Sequence, residues 1–200
     1  MAWAPDYATT TELKSTMDID VSTHDTELGL ALTGSSRAVD RSTNRQFGVV
    51  AAAEERAYTP WWDRRRQLYV IEVDDLMTTT DLAIEDEQGN SLAALVTLGD
   101  GGYRLEPRNN PQKGRPWTQL VTTTPAVGDW LATGIWGWSA VPDTIKAATL
   151  LQAERFYLRR QAPFGVAGSP DEGSEMRLLA KVDPDVAVMV GAYRRWWAAA

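Results

Sequence analysis

The chain has 200 residues, 20 Lys+Arg against 27 Asp+Glu for a formal net charge of −7, no cysteine, one histidine and nine tryptophans. That length suits one large domain or two small ones, and 44% hydrophobic residues exclude a disordered or collagen-like chain. The missing thiols exclude disulfides and thiolate chemistry, and a lone His24 excludes a multi-histidine metal site within one subunit.

The opening MAWAPDYATT lacks the basic residues and apolar core of a signal peptide, and no run is long and apolar enough to span a bilayer, so a soluble chain is expected. Thr9-Thr10-Thr11-Glu12 reads as a capping box that starts a short helix reaching about Met17. A second helix is predicted from Thr23 or Asp25 to about Thr43, with Leu28, Leu32, Ser35 and Val39 on one face and Asn44 as the stop.

The period then changes. Gln67–Val73 is rich in β-branched and aromatic residues and reads as a strand. Leu82–Glu85 and Leu92–Val96 flank Gln88-Gly89-Asn90 like the arms of a hairpin, and Asp100-Gly101-Gly102 precedes Tyr103-Arg104-Leu105 as a further turn. Leu120–Thr124 and Leu131–Trp136 complete a set of short strands that suggests an antiparallel sandwich or barrel-like unit, interrupted by the Pro/Asn/Gly-rich loop Pro107–Pro116.

Pro142 and Asp143 open what reads as the longest helix, running to about Arg160 or Gln161. Ile145, Leu150, Leu151, Phe156, Tyr157 and Leu158 spread around most of its circumference and leave Gln152, Arg155 and Arg159 as a narrow polar stripe. Such a helix is expected to be covered on several sides, in a core or against a neighbouring subunit. After a loop over Pro163–Gly173 and a short strand expected within Glu175–Val182, Asp183-Pro184-Asp185 starts a last helix with Val186, Met189 or Val190, Tyr193 and Trp196 or Trp197 on its apolar face. The resulting expectation is an α+β chain: residues 1–53 and 139–200 form a helical core, and 54–138 an inserted antiparallel β-rich domain.

Chemistry is sparse. No phosphate-binding loop, dinucleotide fingerprint, zinc-protease helix or nucleophile elbow is present. Glu85–Asn90 lacks the ligand spacing of a calcium loop and reads as a charged turn. Asp74-Asp75 reads as a turn cap, and His24 as an exposed residue at a helix start. Neither an enzyme nor a cofactor is expected. The acidic balance, with nine acidic residues against Arg104 between Glu72 and Glu106, disfavours tight DNA binding, and Arg64–Arg66, Arg159-Arg160 and Arg194-Arg195 read as solvated element ends. Trp61, Trp62, Trp117, Trp130, Trp136 and Trp138 crowd the β-rich middle as core, as interface or, alternatively, as the stacking platform of a carbohydrate-binding module.

The C-terminal third resembles the head–tail connector (adaptor, or head-completion) proteins of long-tailed double-stranded DNA phages. The resemblance is carried by Trp136-Gly137-Trp138, by Val141–Leu151 with Arg155–Arg160, by Pro163–Gly168, and by Asp183–Val186 followed by Tyr193-Arg194-Arg195. Ala38–Arg41 and Arg45-Gln46-Phe47 look like the matching first half, so about half of the chain is covered. The resemblance implies a structural virion protein at the neck, below the portal vertex, assembled in the host cytoplasm. It implies a homo-oligomeric ring, usually of twelve copies, that joins the portal protein to a stopper or neck protein. Double-stranded DNA would pass through without sequence-specific binding, and no membrane would be involved. On this reading Ile145, Leu150, Leu151, Tyr157 and Leu158 contribute to the subunit interface, and Tyr193, Arg194, Arg195, Trp196 and Trp197 dock on the portal.

Overall fold

Local capping chemistry sets the helix boundaries in a computed structural model that describes residues 3–94, 102–125, 128–159, 166–167, 176–177 and 183–196. Helix α1 (Thr10–Met17) begins with a complete capping box. The Glu12 N–H donates to Thr9 Oγ1 at 3.2 Å, and the Thr9 N–H donates to Glu12 Oε2 at 2.8 Å, so two otherwise orphaned donors are satisfied. Helix α2 (Asp25–Thr43) ends at Asn44, whose φ of 52° is the left-handed stop. It buries Leu28, Leu32, Ser35 and Val39, the face that the three-to-four spacing selects.

Helix α3 spans Asp143–Arg159, and α4 spans Pro184–Gly191 behind an Asp183 N-cap. With 19 residues against 17, α2 rather than α3 is the longest helix described. The expected extension of α3 past Arg159 lies outside the described residues. Leu13, Leu28, Leu32, Ala153 and Tyr157 form the core between α1, α2 and α3, and α4 packs on both α2 and α3.

The β-rich part holds β1 (Glu54–Tyr58), β2 (Trp61–Asp63), β3 (Leu68–Leu76), β4 (Ala83–Asp86), β5 (Ala93–Ala94), β6 (Gly102–Glu106), β7 (Trp117–Thr122) and β8 (Trp130–Gly134). Two sheets result, ordered β1-β8-β4 and β2-β3-β7-β6-β5. Ile84, Trp130 and Ala132 from the first and Ile71, Val73, Tyr103 and Leu120 from the second meet Trp136 in one core cluster. A short antiparallel pair, β9 (Val166–Ala167) with β10 (Met176–Arg177), lies in the C-terminal half and includes part of the strand expected within 175–182.

Two expectations need correction. The hairpin around Gly89 closes only as a tight turn with a single bridge, Glu85 to Ser91. Its arms then part, because β4 pairs with β8 while β5 joins the other sheet beside β6. The β5–β6 pairing is parallel, so the larger sheet is mixed and not wholly antiparallel.

The chain divides into two compact units, residues 1–4 with 48–140, and residues 5–47 with 141–200. Residues 48–53 belong with the strands: the Val50 N–H donates to the Trp136 carbonyl at 2.9 Å, and the Trp138 N–H to that of Gly48 at 2.9 Å. No described helix is long and apolar enough to cross a membrane.

Candidate interaction surfaces

Helix α3 separates the five residues expected at a subunit interface. Ile145 and Tyr157 are buried in the core of their own unit, Leu150 is half-buried against that core, and Leu151 and Leu158, seven residues apart, face solvent. The core claims Ile145 and Tyr157 because one stripe of α3 lies against α1 and α2. Of the five, Leu151 and Leu158 are the ones left exposed.

Two residues of the polar stripe, Gln152 and Arg155, are tied to the start of α4. Gln152 is buried, and its Oε1 accepts from the Asp183 N–H at 3.2 Å. Arg155 Nη1 donates to Asp183 Oδ2 at 2.5 Å, while Asp183 Oδ1 accepts from the Asp185 N–H at 2.9 Å. One carboxylate thus caps α4 and ties it to α3. The stripe is polar because the start of a helix, rich in unsatisfied donors, docks on it.

The C-terminal segment expected to dock on a portal is partly committed to its own unit. Tyr193 and Arg195 lie against the end of α2: the Arg195 N–H donates to the Thr43 carbonyl at 2.7 Å, and Arg45 Nε donates to the Tyr193 carbonyl at 2.6 Å. Phe47 and Tyr193 meet edge to face at 5.8 Å. Thr43 carries one of the carbonyls that a helix end leaves open, which explains why the chain returns there. Arg194 and Trp196 remain outward; the guanidinium lies 4.3 Å from the indole centroid, and Trp196 is 76% exposed. Trp197 lies outside the described residues. Leu30 at 70% and Val188 at 81% add large apolar side chains on α2 and α4.

The titratable groups are organised as structural ties. In the helical unit, the Tyr7 hydroxyl donates to Asp40 Oδ1 and accepts from the Phe47 N–H. Burial pushes both the Asp40 carboxyl and the Tyr7 phenol upward. In the β unit, Asp74-Asp75 lies inside β3 and caps no turn: Asp74 Oδ2 accepts from Arg56 at 2.6 Å and Tyr58 at 2.9 Å, and Asp75 Oδ2 accepts from Trp138 Nε1 at 2.8 Å. Arg56 also lies 4.5 Å from the Trp3 ring centroid and 5.5 Å from that of Trp136. These long-range partnerships had no sequence signal beyond the residue types themselves.

His24 stands at the N-cap position of α2 without capping it, half-exposed, 3.4 Å from Glu27 and edge-on to Tyr157. Asp86 accepts from the backbone N–H groups of Gln88 and Asn90 and from the Asn90 amide, an ordinary turn around Gly89. Among the described residues, no cluster of three or more His, Cys, Asp or Glu is placed to hold a metal. A cleft of about 380 Å³ beside α1 is lined by Thr11, Lys14, Ser15, Asp18, Ile19 and Asp20, with Lys14 already paired to Asp25 at 2.9 Å.

Three of the tryptophans, Trp130, Trp136 and Trp138, are core residues, whereas Trp61 and Trp62 are 46% and 41% exposed on the edge strand β2. No protein-family model and no curated protein matches the chain.

Proposed function

We propose that this protein is a structural head–tail connector, assembling as a ring, of twelve copies on the family pattern, between a capsid portal and the neck or stopper proteins. The observation that carries the reading is where large apolar side chains face solvent. Among the described residues, Val21, Leu30, Leu151, Leu158, Val188 and Trp196 lie exposed on the helical unit, against Trp61 and Trp62 on the other, although the helical core is already filled by Leu13, Leu28, Leu32 and Tyr157. These side chains, on three of the helices and in the segments before α2 and after α4, are the ones that subunit and portal contacts would cover. A closed ring requires different faces of each subunit to meet, which distributes apolar patches over several helices. Leu151 and Leu158 serve ring packing, and Arg194 with Trp196 serves the portal.

The test is imaging by negative stain, with mass photometry, of the chain alone and mixed with a purified portal from the same genome. A ring on one pole of the portal is the expected result; a chain that ignores the portal overturns the reading. Trp196→Ala is the informative variant for docking. Truncation after Gly191 would also remove the contacts of Tyr193 and Arg195 with α2, and would confound folding with docking.

The carbohydrate-binding alternative draws on Trp61 and Trp62. In register, Trp61 lies opposite Val70 and Trp62 opposite Tyr69, so the two indoles project to opposite faces of β2. They do not form one platform for a sugar ring, which leaves this reading with less support.

A further inference from the structure

Resting on the ring reading, we infer that the β units of adjacent copies dock head to tail, the Trp–Arg hairpin of one against the outer face of the β1-β8-β4 sheet of the next. The hairpin is a built feature. Asp63 Oδ1 accepts from the N–H groups of Arg65 and Arg66 at 2.9 and 3.1 Å, and the Gln67 N–H closes onto the Asp63 carbonyl at 2.8 Å. Gln67 sits at a φ of 56°, and its side-chain amide donates to the Arg64 carbonyl at 2.7 Å. This turn fixes the backbone from which Arg64 and Arg65 project.

The charges at its tip are unspent. Arg66 is held by Glu106 at 2.7 and 2.8 Å, whereas Arg64 and Arg65 are exposed and have no carboxylate partner among the described residues. Lys14, Arg56, Arg104, Lys146 and Arg155 all have one. Trp61 and Trp62 stand exposed on the adjoining edge strand and project to opposite faces, so one of the two indoles accompanies the arginines into the contact, where such a ring costs little entropy for the area it buries.

The sheet face supplies the complement. Register places Glu55 beside Thr133 and Ala83 in one cross-strand row, and Ala57 beside Leu131 and Glu85 in the next. These side chains share one face, because the intervening residues Ala132 and Ile84 are buried in the core. The face therefore presents Ala57, Ala83, Leu131 and Thr133 between a carboxylate on each outer strand. Among the described residues, Glu55 meets no cation and Glu85 accepts from the Ser91 hydroxyl at 3.0 Å. Ideal sheet spacing puts the two carboxylate-bearing positions roughly 12 Å apart, a span that two successive arginine side chains can cover. The hairpin and this face lie on different sheets and share no residue, so the contact is heterologous and leaves each copy with one donor and one acceptor surface. That is the arrangement a ring needs.

The experiment uses the full chain in two charge-reversed forms, Arg64→Glu with Arg65→Glu, and Glu55→Lys with Glu85→Lys. Sedimentation velocity over a concentration series, with and without the purified portal, reads association, and circular dichroism verifies folding. Each variant alone should associate at least about tenfold more weakly than the parent chain. An equimolar mixture of the two should regain association, because each then meets a complementary surface on the other.

Parent association that is indifferent to the reversals, or a mixture that fails to recover, overturns the inference and leaves the connector reading standing. Recovery in the mixture with no ring on the portal upholds the inference and removes the connector reading. No association under any condition overturns both. A labelled double-stranded DNA oligonucleotide in the same series provides the other outcome: loss of DNA binding on reversing Arg64 and Arg65, with association untouched, would assign the hairpin to phosphate and overturn the copy-to-copy contact.

Discussion

Glu12 shows how much one side chain can coordinate. The Lys146 ammonium at 2.8 Å, then the Thr9 N–H and hydroxyl, hold its carboxyl down to about 2 from an ordinary 4.5. A depressed carboxylate contributes stability that is complete above its unfolded value, near 4.5, and is lost as the pH falls through about 2. Glu12→Gln keeps a side chain able to reach the Thr9 N–H but removes the charge. Chemical denaturation of the two proteins should show a constant stability gap above about pH 5 that closes towards pH 2; a gap that persists at pH 2 would assign the effect to geometry instead. Thr9→Ala, which removes the cap itself, should cost about 1 kcal/mol.

Gly137, in the middle of Trp136-Gly137-Trp138, is constrained in a different way. Its φ is +115°, and a methyl group built on it would lie 2.0 Å from the Gly48 carbonyl oxygen. That oxygen accepts the Trp138 N–H, while the Gly137 N–H donates to the Asp75 carbonyl at 2.6 Å. Gly137→Ala should therefore cost ~4 kcal/mol or more, seen as loss of the near-ultraviolet signal of the buried indoles. An unchanged melting temperature would mean that the backbone here yields more easily than its contacts indicate.

Among the elements, α4 depends on a small set of groups. It has eight residues, too few to persist as an isolated helix. Its stability comes from Val186 and Val190 buried on one side and from Asp183 at its start. Asp183→Ala removes the cap and leaves Arg155 without that carboxylate, for an expected loss of about 2 kcal/mol. Hydrogen exchange should show the cost first in the α4 amides. Asp183→Asn, which keeps the cap without the charge, should fall between the two; an Asn variant as weak as Ala would make the ion pair the larger share. In the β unit the corresponding feature is β3, paired on both edges by β2 and β7, whose Asp74 and Asp75 anchor Arg56, Tyr58 and Trp138.

For the whole molecule, the two units carry separate probes. The four described α-helices lie in the unit of residues 5–47 and 141–200, and seven of the nine tryptophans belong to the other. Helical ellipticity at about 222 nm therefore follows one unit, and tryptophan fluorescence mainly the other. Each unit has its own core, so Asp183→Ala should lower the ellipticity transition and spare the fluorescence one, with Gly137→Ala doing the reverse. Equal shifts of both probes in both variants would show that the units unfold as one cooperative body.

Helix ends were legible in the chain because capping is local chemistry: Thr9 with Glu12, Asn44, and Asp183-Pro184 act within a few residues of themselves. The buried face of α2 was legible for the same reason, since a period of 3.6 needs no knowledge of the partner. Strand identity followed from β-branched and aromatic content for β3, β4, β6, β7 and β8, but β1 (Glu54–Tyr58) and β2 (Trp61–Asp63) were not expected, and strand partnership was not legible. β4 pairs with β8 across more than forty residues, and β5 leaves its expected hairpin to run parallel to β6. Gln152 and Asp75 were the least legible residues: both types usually face water, and both are buried here against a donor from a distant segment. For the proposed interface, the sequence pointed to α3 and the C-terminal aromatics. Packing decided that Ile145 and Tyr157 face inward and Leu151, Leu158 and Trp196 outward, because burial depends on which other segments arrive, and that is settled only when distant parts of the chain meet.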